Sequence, residues 1–157
     1  SAASDVYKRQ LIDNPDKLEV LTSETGENID RIKKVIEECW PGELTIIFKA
    51  NEEFTEKFDS GLKTVGIRIP KNRTAIDIIK NTGGIVLTTS ANISGERAVT
   101  DIKDMSEVLL SEVDGIITDN SILTGVPSTI IKYVEGEIEI LREGNINIEK
   151  IKQLMKG

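Results

Sequence analysis

The sequence has no histidine, one cysteine and few aromatic residues, and each shortage removes a class of function. Without histidine, the 157 residues cannot build a Ser-His-Asp or Cys-His catalytic group or supply the commonest zinc ligand. Cys39 cannot form an internal disulfide, and its place on the apolar side of a helical pattern predicts a buried thiol. Such cysteine usage fits a reducing, cytoplasmic setting. With 4% aromatics, the core must consist mostly of Ile, Leu and Val.

Long apolar runs, positive charge and the common nucleotide-binding motifs are also missing. No apolar run reaches the length of a membrane span. A net charge of −7 argues against a general nucleic-acid binder, which carries a basic face. Neither a P-loop nor a GxGxxG pattern is present, and the carboxylates show no metal-binding pattern, so a nucleotide would have to bind by another route.

Strand and helix patterns alternate along most of the chain, which predicts one α/β domain with an open mixed sheet flanked by helices. We predict strands over 44–48, 65–69, 85–88, 115–118, 128–133 and 137–141, the last two joined by a hairpin at Glu135-Gly136. We predict helices starting at Asn14-Pro15, over 27–40, 74–81 and 101–110, and after Asn147. Residues 1–10 lack periodicity and are interpreted as a non-native or disordered leader, so that the domain covers 11–157.

The stretch from Ile85 to Gly95 has the strongest functional pattern. An apolar run, predicted to be a buried strand, ends abruptly in hydroxyl and amide side chains, among them Thr88, Ser90 and Asn92. One interpretation is a ligand pocket at the end of a sheet strand; the other is a turn in which these side chains cap the next segment. The pattern alone favours neither.

Two arginines and a second hydroxyl cluster could complement this uncharged tip. Arg68 and Arg142 each stand near the end of a predicted strand, and Ser128 begins another. An arginine in this position is either a solvated charge or a binder of carboxylate or phosphate. Together these residues suit a ligand that has a phosphate and a small carboxylate.

Five motifs resemble, in order and rough spacing, those of the YrdC/Sua5 family. They are Trp-Pro-Gly-Glu-Leu-Thr at 40–45, Val-Gly-Ile-Arg-Ile-Pro at 65–70, Thr-Ser-Ala-Asn-Ile-Ser-Gly at 89–95, Pro-Ser-Thr-Ile-Ile at 127–131 and Leu-Arg-Glu-Gly at 141–144. The resemblance covers about residue 11 to the C-terminus. It implies a cytoplasmic threonylcarbamoyl-AMP synthase, a nucleotidyltransferase that makes threonylcarbamoyl-AMP and pyrophosphate from L-threonine, bicarbonate and ATP. A partner transferase complex then modifies tRNA to N6-threonylcarbamoyladenosine.

The resemblance also implies the residues of the site. Those expected to bind threonine are Arg68, Thr88 and Ser128, and those expected at the nucleotide are Thr64, Ser90, Asn92, Ala98 and Arg142. Mg²⁺ is expected with the ATP, without protein metal ligands, and no residue is assigned a covalent catalytic role. Contact with tRNA is expected to be weak at most.

The sequence departs from the family at its start. The family begins with a strand reading roughly Thr-Asp-Thr-Val-Tyr-Gly-Leu and a Lys-x-Arg-Pro segment, and Lys8-Arg9 matches neither. We therefore expect a domain without its N-terminal strand region, and weak or no turnover. The alternatives are an RNA-binding or regulatory module of the same fold without synthase activity, and a carbamoyl-transfer module of the hydrogenase-maturation type.

Overall fold

The computed structural model describes residues 8–57, 61–93, 95–119 and 121–156. Six strands form one mixed sheet in the order β4-β1-β3-β2-β5-β6. Their bounds are β1 Lys8–Ile12, β2 Leu44–Lys49, β3 Thr64–Arg68, β4 Ile85–Thr88, β5 Thr129–Val134 and β6 Glu137–Arg142. The predicted fold class, an open mixed sheet with helices in a single domain, is confirmed.

Asparagine side chains cap the first turns of some of the helical segments. They are α1 Leu18–Leu21, α2 Glu27–Cys39, α3 Glu52–Lys57, α4 Arg73–Asn81, α5 Glu107–Glu112 and α6 Ile148–Lys156, with 3₁₀ turns at Pro15–Lys17 and Ile102–Asp104. The Asn14 side chain accepts from the Asp16 amide, and Asn147 accepts from the Glu149 amide, so both predicted caps are confirmed. α4 is capped by Asn72 through the Ala75 amide, so the start predicted at Thr74 was late by one residue.

All of these helices except α5 contribute residues to one core cluster on a single face of the sheet. The apolar residues of α2, Ile32, Val35 and Ile36 among them, share one core cluster with Leu44, Ile46 and Phe48 of β2 and with strand residues of β1, β3 and β5. Cys39 belongs to this cluster, and burial raises the pKa of its thiol, as expected for a structural cysteine. Side chains that alternate with these core residues point to the other face, called here the open face, where Ile47 and Ile130 form a second, small buried cluster.

Two predicted elements differ from the structure. The segment 115–118 is not a strand, and Ile116 and Ile117 are 51% and 69% exposed. Its β-branched residues favour a strand, but no strand in the described part of the chain pairs with it. The predicted helix over 101–110 is instead a 3₁₀ turn followed by α5, with Met105 and Ser106 between them.

β4 was predicted to be buried, but it is an edge strand of the sheet. Ile85, Val86 and Thr88 are half-buried and Leu87 is 51% exposed, because among the described residues only β1 pairs with this strand. A continuous apolar run suggests burial on both faces, but strand order decides burial and is set by contacts distant in sequence.

β1 includes three residues of the predicted leader. Lys8, Arg9 and Gln10 pair with β3 on one side, and Arg9 and Gln10 with β4 on the other. Residues 1–7 lie outside the described residues, and a non-native origin of 1–10 stays a prediction. Within the described ranges, no helix is both long and apolar enough to cross a bilayer.

Candidate functional site

One row of side chains crosses the open face and contains both predicted arginines. Leu11 lies beside Arg68, and the pairing of Ile46 with Ile67 brings Thr45 next to Arg68 on β2. Thr45 in turn lies beside Ile130, which pairs with Arg142. This set is called the arginine row: Leu11, Arg68, Thr45, Ile130 and Arg142.

Arg68 is held by the residues that directly precede β2. Its Nε donates to the Gly42 carbonyl oxygen at 2.8 Å, and its Nη2 donates to Glu43 Oε1 at 2.7 Å. Burial lowers the pKa of the guanidinium, Glu43 offsets part of that effect, and the positive charge of Arg9 lowers the pKa further. Arg68 is therefore neither a fully solvated charge nor an unpaired one.

A buried hydroxyl pair lies between the two arginines. Thr45 Oγ1 and Ser128 Oγ are 3.0 Å apart, and both residues are almost fully buried. Arg142 donates from Nε and Nη2 to the Ser128 carbonyl oxygen at 3.1 and 3.0 Å. The structure thus joins the second hydroxyl cluster to the second arginine, two features that the sequence could only suggest separately.

Gly144 fixes this junction because there is no room for a larger residue. A Cβ added there would lie 2.0 Å from the Pro127 carbonyl oxygen and 2.8 Å from the Ser128 carbonyl carbon. The Gly144 amide donates to Thr129 Oγ1 at 2.9 Å, and the same oxygen donates to the Ile146 carbonyl at 2.7 Å. The chain end of β6 is thereby held against the start of β5.

Thr88 and Thr64 lie on the same face but toward the other end of the sheet. β4 runs antiparallel to β1, and β1 runs parallel to β3, so β4 ends near the sheet end at which β3 begins. Strand spacing of about 4.8 Å and a rise of about 3.3 Å per residue place Thr88 roughly 12 Å from Arg68. Ser128 lies four strand spacings from Thr88 across the sheet and about four residues further along the strands, roughly 23 Å away. One threonine molecule therefore cannot contact both Thr88 and Ser128 in this structure.

The remaining predicted nucleotide residues lie in the polypeptide after β4. Ser90 and Ala98 are exposed, and Asn92 is half-buried. The Asn92 Nδ2 donates to the carbonyl oxygens of Ile93 and Glu96 at 3.1 and 3.0 Å, which is turn chemistry. For Asn92, the turn interpretation left open by the sequence describes the observed contacts.

Arg9 is a site residue that sequence reasoning did not identify. It lies opposite Gly66 of β3 and Thr88 of β4 on the open face, and Thr88 Oγ1 donates to its carbonyl oxygen at 3.4 Å. Its Nε is buried without a hydrogen-bond partner in the described part of the protein, and its charge acts on Arg68. No local signal could have shown this, because the pairing that brings Arg9 into the sheet spans more than fifty residues.

A groove of about 580 Å³ lies elsewhere, in the helix layer between the first helical turns and α2. Leu18, Ile36 and Trp40 form part of its floor, and Asp30 and Glu37 are among the carboxylates on its rim. None of the predicted site residues lines it. The described ranges also contain no cluster of three or more His, Cys, Asp or Glu that could hold a metal ion.

Comparison with known proteins identifies the family of this chain. The family model Sua5/YciO/YrdC, described as telomere recombination, matches residues 10–144. A threonylcarbamoyl-AMP synthase of Pyrococcus abyssi is 30% identical over 140 residues, which is 89% of this chain and 40% of that protein. One of Bacillus subtilis is 29% identical over 132 residues, 83% of this chain and 38% of that protein.

A putative threonylcarbamoyl-AMP synthase of Methanocaldococcus jannaschii is 37% identical over 123 residues, covering 78% of this chain and 56% of that protein. The chain thus spans between 38% and 56% of the length of these three relatives.

Solved structures agree with the family model. Pyrococcus abyssi Sua5 in complex with L-threonine superimposes with a TM-score of 0.83 at 28% identity, over 96% of this chain and 44% of that one. Escherichia coli YciO gives a TM-score of 0.76 at 22% identity, over 92% and 69%, a likeness that concerns the fold alone. The family match covers most of the chain and contains all five motifs in order, so the chain belongs to the YrdC/Sua5 family.

Proposed function

We propose that this chain carries the catalytic domain of an L-threonylcarbamoyladenylate synthase. In this proposal it makes threonylcarbamoyl-AMP and pyrophosphate from L-threonine, bicarbonate and ATP, in the cytoplasm, for modification of tRNA by a partner transferase complex. Relatives that have this name and a related structure with bound L-threonine support the proposal.

The arginine row is the observation that carries the proposal. The reaction brings two anions together, an amino-acid carboxylate and a triphosphate, and the row presents Arg68 and Arg142 on one face with a hydroxyl pair between them. Arginine binds both anions through charge-assisted hydrogen bonds. Holding the reactants in place and offsetting their charge are sufficient sources of rate enhancement, so no histidine is required.

We assign the threonine carboxylate to Arg68 and the phosphates to Arg142. Thr45 and Ser128 form the wall next to the amino acid; one hydroxyl donates in their mutual hydrogen bond, and the other keeps its own O–H for a ligand. Thr88 lies roughly 12 Å from Arg68, so we move it from the amino acid to the nucleotide, where Thr64, Ser90, Asn92 and Ala98 remain predicted. Mg²⁺ enters with the ATP phosphates, because Mg²⁺ sites are often completed by substrate phosphates.

Ligand binding to the chain is the first test, since it does not require turnover. Calorimetric titration with L-threonine should give a saturable isotherm, and Arg68→Ala should weaken it at least tenfold while leaving ATP binding within about twofold. Arg73→Ala, which removes an exposed arginine at the start of α4, is the matched control and should bind threonine normally.

Turnover is the second test. Pyrophosphate release should require threonine, bicarbonate and ATP together, and it should fall with Arg68→Ala. If the chain binds no threonine, and binds RNA with a steep salt dependence instead, the synthase proposal is wrong and the RNA-binding alternative is supported.

A further inference from the structure

Glu43 occupies one edge of the Arg68 guanidinium. The Nε and Nη2 groups lie on the same edge of this planar cation, and they donate to the Gly42 carbonyl and to the Glu43 carboxylate. Glu43 comes from the turn before β2, whereas Arg68 ends β3. The Glu43 side chain is 39% exposed, so its charge is felt in the adjoining solvent as well as by Arg68.

The second edge of the guanidinium is formed by Nη1 and the other hydrogen of Nη2, and neither Gly42 nor Glu43 uses it. Arg68 is 19% exposed, and the residues described give it no hydrogen bond beyond those to Gly42 and Glu43. A planar carboxylate can bind this edge through two parallel hydrogen bonds. An incoming anion therefore binds Arg68 while Glu43 stays in place, and it lies close to a resident negative charge.

We propose that Glu43 is a specificity-determining residue that reserves Arg68 for a monoanionic carboxylate and disfavours dianionic phosphate. The inference rests on the proposed function, in which a carboxylate and phosphates meet on the same face. Glu43 neutralises much of the Arg68 charge and touches it, whereas Arg9 acts on Arg68 from the neighbouring strand and more weakly, so a second negative charge on the ligand meets more repulsion than attraction. The carboxylate therefore binds at Arg68, and the phosphates bind at the Arg142 end of the arginine row.

The size of the effect follows from one unit of charge. Arg68 and Glu43 are partly exposed, so the repulsion is screened to a value between those for bulk water and for a buried site. One additional charge a few ångströms from Glu43 then changes affinity by roughly tenfold. Replacing Glu43 with glutamine keeps the shape and an acceptor oxygen but removes the charge, so phosphate gains more than a carboxylate does.

The test uses inorganic phosphate and acetate as probes at pH 8, with chloride added to hold the ionic strength constant. Binding is followed by NMR through the backbone amide resonances of Gly42 and Glu43, which contact Arg68 and remain observable when Arg68 is replaced. In Glu43→Gln, the phosphate dissociation constant should fall about tenfold relative to that of acetate. Adding Arg68→Met to this variant should abolish the gain, which places the effect at Arg68.

Two further variants guard the interpretation. Glu38→Gln removes one exposed carboxylate from α2 and should leave the phosphate-to-acetate ratio at the wild-type value. Glu43→Ala should shift the ratio in the same direction as Glu43→Gln, even if it weakens both anions by freeing the Arg68 side chain. A ratio that is unchanged in both Glu43 variants overturns the inference.

Threonine calorimetry on the unmodified chain separates this inference from the proposed function. If threonine binds and the phosphate-to-acetate ratio does not respond to Glu43, the function stands and the role of Glu43 is refuted. If the ratio responds and threonine does not bind, Glu43 selects between anions at a site with another function.

Discussion

Replacing Gly144 with alanine is expected to destabilise the protein more than its small size suggests. The added methyl group would meet three backbone atoms, the Pro127 oxygen at 2.0 Å, the Ser128 carbonyl carbon at 2.8 Å and the Thr129 nitrogen at 2.9 Å. None of these can rotate away as the end of a side chain could. The strand end that includes Gly144 must therefore move away from β5.

The cost can be worked out from the contacts that this movement breaks. Overpacking a tight site costs about 1–3 kcal/mol. Thr129 Oγ1 accepts from the Gly144 and Ile146 amides at 2.9 and 3.1 Å, and each bond that is lost adds about 1 kcal/mol. The expected loss is therefore about 2–5 kcal/mol of unfolding free energy, which corresponds to a melting temperature lower by roughly 5–15 °C.

Urea denaturation followed by circular dichroism measures this loss, and Gly115→Ala is the control. A Cβ at Gly115 would meet nothing within 4 Å, so that variant should lie within about 0.5 kcal/mol of the wild type. If Gly144→Ala also unfolds within 1 kcal/mol of the wild type, the junction is looser than described. The reasoning about the position of Arg142 would then fail with it.

Three further outcomes follow from side-chain hydrogen bonds. Tyr133→Phe should cost about 1–2 kcal/mol of unfolding free energy, because the hydroxyl donates to the Asn28 carbonyl at 2.6 Å. Burial raises the Tyr133 pKa, so the stability that this hydroxyl contributes is complete below about pH 10 and is lost as pH rises through the folded pKa. The difference in unfolding free energy between the wild type and Tyr133→Phe should therefore narrow at high pH. Glu24→Gln should cost about 1–3 kcal/mol of unfolding free energy. The buried carboxylate accepts from Asn28 Nδ2 and from a hairpin-turn amide, and the NH₂ group of glutamine would point a second donor at one of these donors. Asn72→Ala should raise the pKa of Asp119, measured by NMR titration, from about 2 toward its ordinary value, because the Asn72 amide donates to that carboxylate.

Each of these has its own check. Glu27→Gln, at an exposed position of α2, should change stability by no more than about 0.5 kcal/mol, and an equal loss in both variants would show that Glu24 acts through charge alone. A Tyr133→Phe gap that stays constant above pH 10 would contradict the pKa argument. For Asp119, an unchanged titration in Asn72→Ala would leave the Ser121 amide as the main cause.

Elements formed from local sequence were predicted well. α2 has a clear apolar stripe, and the hairpin at Glu135-Gly136 places both turn residues at positive φ, of 53° and 80°. The boundaries of the two hairpin strands differ from the prediction by one residue at most. The local sequence contains the helical period, the caps and the turn, so a sequence can specify them without knowledge of the sheet.

Strand order could not be predicted from the residues alone, and the errors concern features that depend on it. The sequence predicts strands over Ile85–Thr88 and 115–118. The first is an edge strand, and the second pairs with no strand among the described residues. The inclusion of Arg9 and the contact of Glu43 with Arg68 depend on the same order. Motif resemblance identified Arg68 and Arg142, but it could not show what already binds them.

The arginine row takes one residue from each of five strands, so it exists only when almost the whole sheet is assembled. An anion bound along the row contacts strands that are distant in sequence and so links them. Its binding free energy is added to the stability of the assembled sheet, by RT ln(1 + [L]/Kd). Since β6 is an edge strand that pairs with β5 alone in the part of the chain that the structure describes, fraying of β6 would release the Arg142 end of such a ligand first.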